Sequence, residues 1–388
     1  MTKRQIFDNN NQKVLLFVFV IINMLFVVKY CPIYSISAAV IYGIVVSSSY
    51  CYYKYFSFDK QQKLHIYILF ALIVCIAVSL LLLIDPYSVT VDRWSALYNW
   101  SDTLFQGKYP YNTLTHTYIP ENYPSPFPIW QIVHIPFYFF GEMGIGHLVT
   151  FTLVYYVLYK YQKSFNLTLF LSLILLSPCY WWEIAVRSDL MNNMFVCLLF
   201  ITIFHFSFKE TRYMFPLGII IGLLLCTRLF AGIPLAVYFI PYFLRKSKTD
   251  KLKLIAGCLL GFVCPFIPFM IWNFDMLFFF EYSPLMLQTK QGSIYTLIVG
   301  MIFIGIFSFC WKNYKEYLLY ISIILFSFIL LNFIKFIHLD GFITTLTNDL
   351  FDISYFNITI PFVVLGLCLS KTDKNENEKI SLFDKQRT

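Results

Sequence analysis

The chain has 388 residues, 59% hydrophobic, 20% aromatic and only 13% charged, with a formal net charge of +8. Its mean hydropathy of +0.68 excludes a soluble globular protein, in which about a quarter of the residues are charged. The ten cysteines sit singly in or beside apolar runs, without the paired spacing of a zinc or disulfide framework.

In chain order, residues 14–28 are apolar and lack a small-residue cleavage site, so they read as a retained signal anchor. Apolar runs near the bilayer-crossing length of about 20 residues recur up to residue 370. The fold class is therefore an all-α, multi-pass integral membrane protein with one membrane domain, 1–388. Twelve spans are expected, starting near residues 14, 33, 64, 144, 167, 190, 213, 229, 252, 294, 317 and 350. The segment "PIWQIVHIPFYFFG" (128–141) is short and interrupted by Pro136, and reads as an interfacial or re-entrant helix. Residues 213–244 make two short crossings with "TRLFAG" as the turn.

The positive-inside rule supports this division. All but seven of the 29 Lys and Arg fall on one side, the exceptions being Lys29, Arg93, Lys108, Arg187, Arg228, Lys290 and Lys335. Both termini, including the tail 371–388, are then cytoplasmic in a bacterial cytoplasmic membrane. Most acidic residues collect on the other side. The net positive charge thus faces anionic membrane lipid, and no nucleic-acid partner is expected.

The longest outer segment, residues 85–142, is too long to be a mere connection and reads as functional. In "DRWSALYNWSDTLFQG" the residues Trp94, Leu97, Trp100, Ser101 and Leu104 share a helical face, and Gly107 stops the helix. Asp92 stands where it either caps that helix or acts as a base. Asp85, before Pro86, reads as a terminator, and Asp102 as a solvated residue. "GKYPYNTLTHTYIPENYPSPFP" follows as a stiff, tyrosine-lined cover, because proline fixes φ and favours extended neighbours. Arg187 and Arg228 lie at the outer ends of apolar segments, where cations are rare and usually functional. Arg187 either reaches a phosphate or pairs with Glu183 or Asp189. Arg228 has no carboxylate near it in sequence, which favours a ligand phosphate.

Asp92, the helix ending at Gly107, "YPY" at 109–111, "YPSPFP" at 123–128 and the following crossing that ends in Lys resemble the first outer loop of the C-type glycosyltransferase superfamily. The pattern is nearest to bacterial mannosyltransferases that use polyprenyl-phosphate sugars. "LGIIIGLLLCTRLFAGIPLAVYFI" (217–240) resembles the glycine-rich helix pair of those enzymes, with a basic residue at its outer turn. The likeness covers residues 64–245. It departs from the family at Trp94, where a tyrosine is usual, and at "YPSP" in place of "YPP".

This resemblance implies a hexose, mannose by likeness, moved from a polyprenyl-phosphate donor to a lipid-linked or glycan acceptor on the outer face. Asp92 would be the base. Arg228, Arg187, Lys290 and His338 would be candidates for the donor phosphate, and Trp94, Tyr109, Tyr111, Tyr123, Glu183 and Asp189 would line the substrate. Phosphate is a good leaving group, so one base and a cation suffice. No zinc spacing or D-x-D pair occurs, and neither metal nor cofactor is expected. Two rivals are a secondary transporter, which usually shows matching halves and broken helices at mid-membrane, and a glycan polymerase or ligase of the outer leaflet.

Overall fold

The computed structural model describes residues 3–31, 33–55, 62–117, 121–208, 212–290, 294–347 and 351–369. The helices are α1 (Lys3–Tyr30), α2 (Ser35–Tyr55), α3 (Gln62–Leu83), α4 (Arg93–Phe105), α5 (Pro128–Phe139), α6 (Ile145–Lys160), α7 (Leu167–Leu175), α8 (Pro178–Ala185), α9 (Leu190–Ser207) and α10 (Met214–Leu225). They continue with α11 (Gly232–Leu244), α12 (Lys248–Val263), α13 (Ile267–Trp272), α14 (Phe274–Phe278), α15 (Pro284–Lys290), α16 (Ile294–Cys310), α17 (Tyr314–Asp340), α18 (Phe342–Thr347) and α19 (Ile360–Cys368). Among the described residues the only pairing of extended backbone is one bridge, Phe165 to Leu369.

Among the described residues six stretches are long and apolar enough to cross a membrane: Asn10–Tyr30, Ser35–Tyr53, Lys63–Leu83, Leu190–Ser207, Lys248–Trp272 and Tyr314–Asp340. A seventh is the pair α7 and α8, bent by 65°. Met214–Leu225, Leu229–Leu244, Ile294–Cys310 and Ile353–Cys368 are apolar but shorter. The run starting near residue 167, expected as one span, is thus broken where Pro178 cannot donate an amide. The break exposes backbone that lipid cannot satisfy. Side chains do so: Tyr42 donates to the Leu176 carbonyl at 2.8 Å, Trp181 Nε1 donates to the Leu175 carbonyl at 2.8 Å, and Asn23 Oδ1 accepts from the Cys179 amide at 3.2 Å.

The core lies around α19, whose residues are buried throughout, packed among α1, α7, α9 and α17. Hydrogen bonds sort the connections into two ends. At one end the Asn166 amide donates to the Cys368 carbonyl at 2.8 Å, and Tyr161 and Ser207 pair through their hydroxyls. At the opposite end of the same helices meet the segments 81–117, 121–142, 183–189, 226–229, 288 and 352–357.

The glycine-rich helix α10 packs its small face on α12, not on its sequence neighbour α11. Gly218 and Gly222 face Gly257 and Gly261 so closely that a Cβ at Gly222 would lie 2.2 Å from the Cys258 carbonyl oxygen. Small residues four apart on both helices let the backbones meet, the packing favoured where lipid removes the hydrophobic drive.

Candidate functional site

The site begins with α4, which forms as its spacing predicts. Trp94, Leu97, Trp100 and Ser101 are buried, Leu104 is partly buried, and Gly107 ends the helix at φ +71°. Asp92 occupies the N-cap position yet makes no side-chain bond to the helix amides. Instead its Oδ2 accepts from Thr115 Oγ1 at 2.8 Å and from Asn122 Nδ2. No described residue donates to its Oδ1. The capping alternative for this side chain is therefore not what the fold uses. The carboxylate is clamped through one oxygen.

The proline-rich cover is fastened to α4 beside Asp92. Ser95 Oγ accepts from the His116 amide at 3.0 Å, lies 2.8 Å from His116 Nδ1 and donates to the Asp92 carbonyl at 2.8 Å. His116 Nε2 is 2.9 Å from the Val89 carbonyl.

Arg93, read from sequence only as a loop charge, reaches across the bundle end. It donates to Ser188 Oγ at 3.0 Å and Ser354 Oγ at 2.6 Å, pairs with Asp352, and lies 5.2 Å from the centre of the Tyr355 ring. Desolvation by the neighbouring groups would raise the partly exposed Asp352 carboxyl, but the Arg93 guanidinium and the Ser354 donors outweigh it and hold the group below its ordinary value.

Arg228 is not a free cation. Its Nε and Nη2 clasp Asp189 at 2.9 and 2.6 Å, and Trp130 Nε1 donates to the same carboxylate at 2.5 Å. Both partners are buried, and Arg228 again outweighs burial to keep Asp189 ionised, below its ordinary value. The counter-charge comes from 39 residues away in sequence, which is why local reading misses it.

Arg187 pairs with Glu142, at 3.0 Å, rather than with Glu183 or Asp189. It also donates to the Leu81 carbonyl at 2.7 Å and the Ala185 carbonyl at 2.8 Å. Arg187 adopts φ +50°, closing α8 in a Schellman turn: the Ser188 amide reaches the Glu183 carbonyl at 2.9 Å and the Arg187 amide reaches Ile184 at 3.1 Å. That position usually holds glycine, and here the guanidinium's bonds hold the strained backbone. Glu183 is enclosed, accepting from the Met191 amide at 2.7 Å and from Asn357 Nδ2 at 2.6 Å.

Several expected lining residues are therefore structural. Trp94 and Tyr111 are buried, Tyr111 against Trp100 and Phe269, because their large rings fill space under the cover. Glu183 and Asp189 are spent on internal partners. Tyr109 is half-buried against Trp272, and Tyr123 stacks on Tyr282 at 5.3 Å. His338 is exposed in the last turn of α17 and is bonded to none of these groups. Lys290 ends α15, and its side chain lies outside the described residues. Asp85 bonds the Tyr87 amide in a 3-10 turn, and Asp102 is half-buried, accepting from Tyr138 Oη and Gln106 Nε2.

An apolar groove between α11, α16 and α17 borders this cluster at Leu229, which follows Arg228, and at Tyr355. Its wall includes Leu229, Phe230, Ile304, Phe328, Ile329 and Tyr355, with Gln288, Thr289 and Asn332 as its polar members. Gln288 is fixed there, accepting from the Leu229 amide at 2.6 Å and donating to the Ser125 carbonyl at 2.7 Å.

No protein-family model, curated protein or solved structure matches the chain. The site therefore stands on its own geometry.

Proposed function

We propose that this chain is a membrane glycosyltransferase, moving a hexose from a polyprenyl-phosphate donor to a hydroxyl of a glycan or lipid acceptor. The observation that carries this reading is Asp92: a carboxylate clamped through one oxygen by Thr115 and Asn122 and making no cap bond. Held in this way, the carboxylate is aimed before substrate arrives, which is what a general base requires. The acceptor hydroxyl gives its proton to Asp92 Oδ1 as its oxygen bonds to the anomeric carbon. The carbon–oxygen bond to phosphate breaks, its electron pair leaves on the polyprenyl phosphate, and the anomeric centre inverts.

The twelve-span division belongs to the same proposal. It is supported by the sorting of the connections into two ends, the acidic cluster at one and Lys160 and Lys163 beside the other. In this reading the termini are cytoplasmic and Asp92 faces outward.

One feature favours a transporter, namely the broken helix α7–α8. Yet its freed groups are occupied by Asn23, Tyr42 and Trp181, which leaves a transported solute little to bind at the break.

The test is incubation of the purified full chain with labelled polyprenyl-phosphate hexoses and lipid-linked acceptors. Asp92→Asn keeps the shape, and its amide oxygen still accepts from Thr115 and Asn122, so thermal stability should hold. Transfer should fall by roughly 10² to 10⁴, the range for a lost general base. Full activity in Asp92→Asn would remove Asp92 as the base.

A further inference from the structure

Three arginines cluster at this end of the bundle, and their partners differ in how easily they can be released. Asp189 is 2% exposed at its side chain and Glu142 is 26% exposed, whereas Asp352, the partner of Arg93, is 44% exposed. Detaching Asp189 from Arg228 would strand a buried carboxylate, which is strongly unfavourable. Asp352 can turn to water instead, and its other oxygen keeps the Ser354 amide at 2.9 Å and the Ser354 hydroxyl at 2.5 Å. Arg93 is therefore the cation whose counter-charge can be exchanged at least expense.

Arg93 does not itself line the apolar groove but adjoins it through Tyr355. Its guanidinium lies over Tyr355, which lines that groove, and Asp352 follows Phe351, another lining residue. The groove's volume of about 150 Å³ is some ten times what one water needs, so it accepts a chain rather than a single solvent molecule. A ligand that satisfies both ends has an apolar tail and one anionic head.

We infer that a polyprenyl phosphate lays its tail between α11, α16 and α17 and places its phosphate on Arg93 by displacing Asp352. Asp352 is thus a built-in competitor of the ligand. It keeps the guanidinium oriented and paired while the site is empty, and it withdraws to solvent when a phosphate arrives. Planar, forked donors suit phosphate as well as carboxylate, so the exchange preserves the geometry of Arg93. This inference rests on the glycosyltransferase reading for the ligand's identity, and on the groove and ion pair for its place.

The experiment is equilibrium binding of radiolabelled geranylgeranyl phosphate to the purified full chain in lipid nanodiscs. Arg93→Gln should weaken binding about tenfold or more, because charge-assisted bonds to phosphate are lost. Asp352→Asn should tighten it about fivefold, since a partly exposed ion pair no longer competes. Asparagine retains an oxygen for Ser354 and turns an amide toward Arg93 that cannot accept from it, so the turn survives. Ile304→Trp, filling the groove, should abolish binding with little change in thermal stability.

Asp352→Asn that weakens binding or leaves it unchanged would overturn the exchange. Equal binding of geranylgeraniol, which lacks the phosphate, would overturn the role of Arg93. Equal competition by dioleoyl phosphatidic acid would make the occupant an ordinary bilayer lipid and overturn the polyprenyl assignment. The readout is binding alone, so it is separable from transfer. Tightening by Asp352→Asn in a chain that transfers no sugar would sustain this site and remove the transferase, whereas transfer without such tightening would do the reverse.

Discussion

Replacing Asp189 with Ala removes the counter-charge of Arg228 inside a cluster where both are buried. Asp189 accepts from Arg228 Nε at 2.9 Å, from Arg228 Nη2 at 2.6 Å and from Trp130 Nε1 at 2.5 Å. Breaking a buried pair by removing one partner costs about 3–5 kcal/mol, and the orphaned Trp130 N–H adds about 1. Arg228→Ala should be as damaging as Asp189→Ala, since it leaves a carboxylate stranded. The double substitution Asp189→Leu with Arg228→Met replaces the pair by apolar groups of similar bulk, and should return to within about 1 kcal/mol of the parent or exceed it. With the single variants Asp189→Leu and Arg228→Met completing the cycle, the coupling energy is several kcal/mol, far beyond the few tenths expected of independent sites. Thermal unfolding in detergent can be followed by thiol labelling of Cys226, which is buried close to Arg228. Additive losses in the double variant would refute the pairing as the basis of local stability. The pH dependence adds a second check. The folded carboxyl titrates below its ordinary value of 3.8, so its stabilisation is complete above that value and fades as pH falls toward the lower folded one. The parent should lose stability below about pH 4, and the double variant should lack that component.

Two further outcomes test the architecture. Gly222→Ala puts a methyl 2.2 Å from the Cys258 carbonyl and should destabilise the chain by about 1–3 kcal/mol or more by forcing α10 from α12. Gly305→Ala, with nothing within 4 Å of the added methyl, should be neutral or slightly stabilising in the same thermal assay. For sidedness, Lys160→Cys and Glu121→Cys, both at exposed positions, should label oppositely with an impermeant thiol reagent once the exposed native cysteines are replaced. Equal labelling from outside would sink the twelve-span division.

Composition and periodicity determined the class of this protein, its apolar helices, the amphipathic α4 with its stop at Gly107, and the loop that carries Asp92. These follow from local physics: run length against bilayer thickness, side-chain spacing on one helix, and the backbone demands of proline and glycine. Which charges are free and which are spent is a different kind of fact. Asp189 meets Arg228 across 39 residues, Glu142 meets Arg187 across 45, and Asp352 meets Arg93 across 259. Sequence proximity suggested Glu183 or Asp189 for Arg187 and no partner for Arg228, and tertiary packing reassigned both. The same holds for Asp92, whose N-cap position was legible while its use was not, because Thr115 and Asn122 arrive from a loop folded back over the helix. A buried charge takes the partner that the fold brings within hydrogen-bond reach, and only the packed helices decide which one that is.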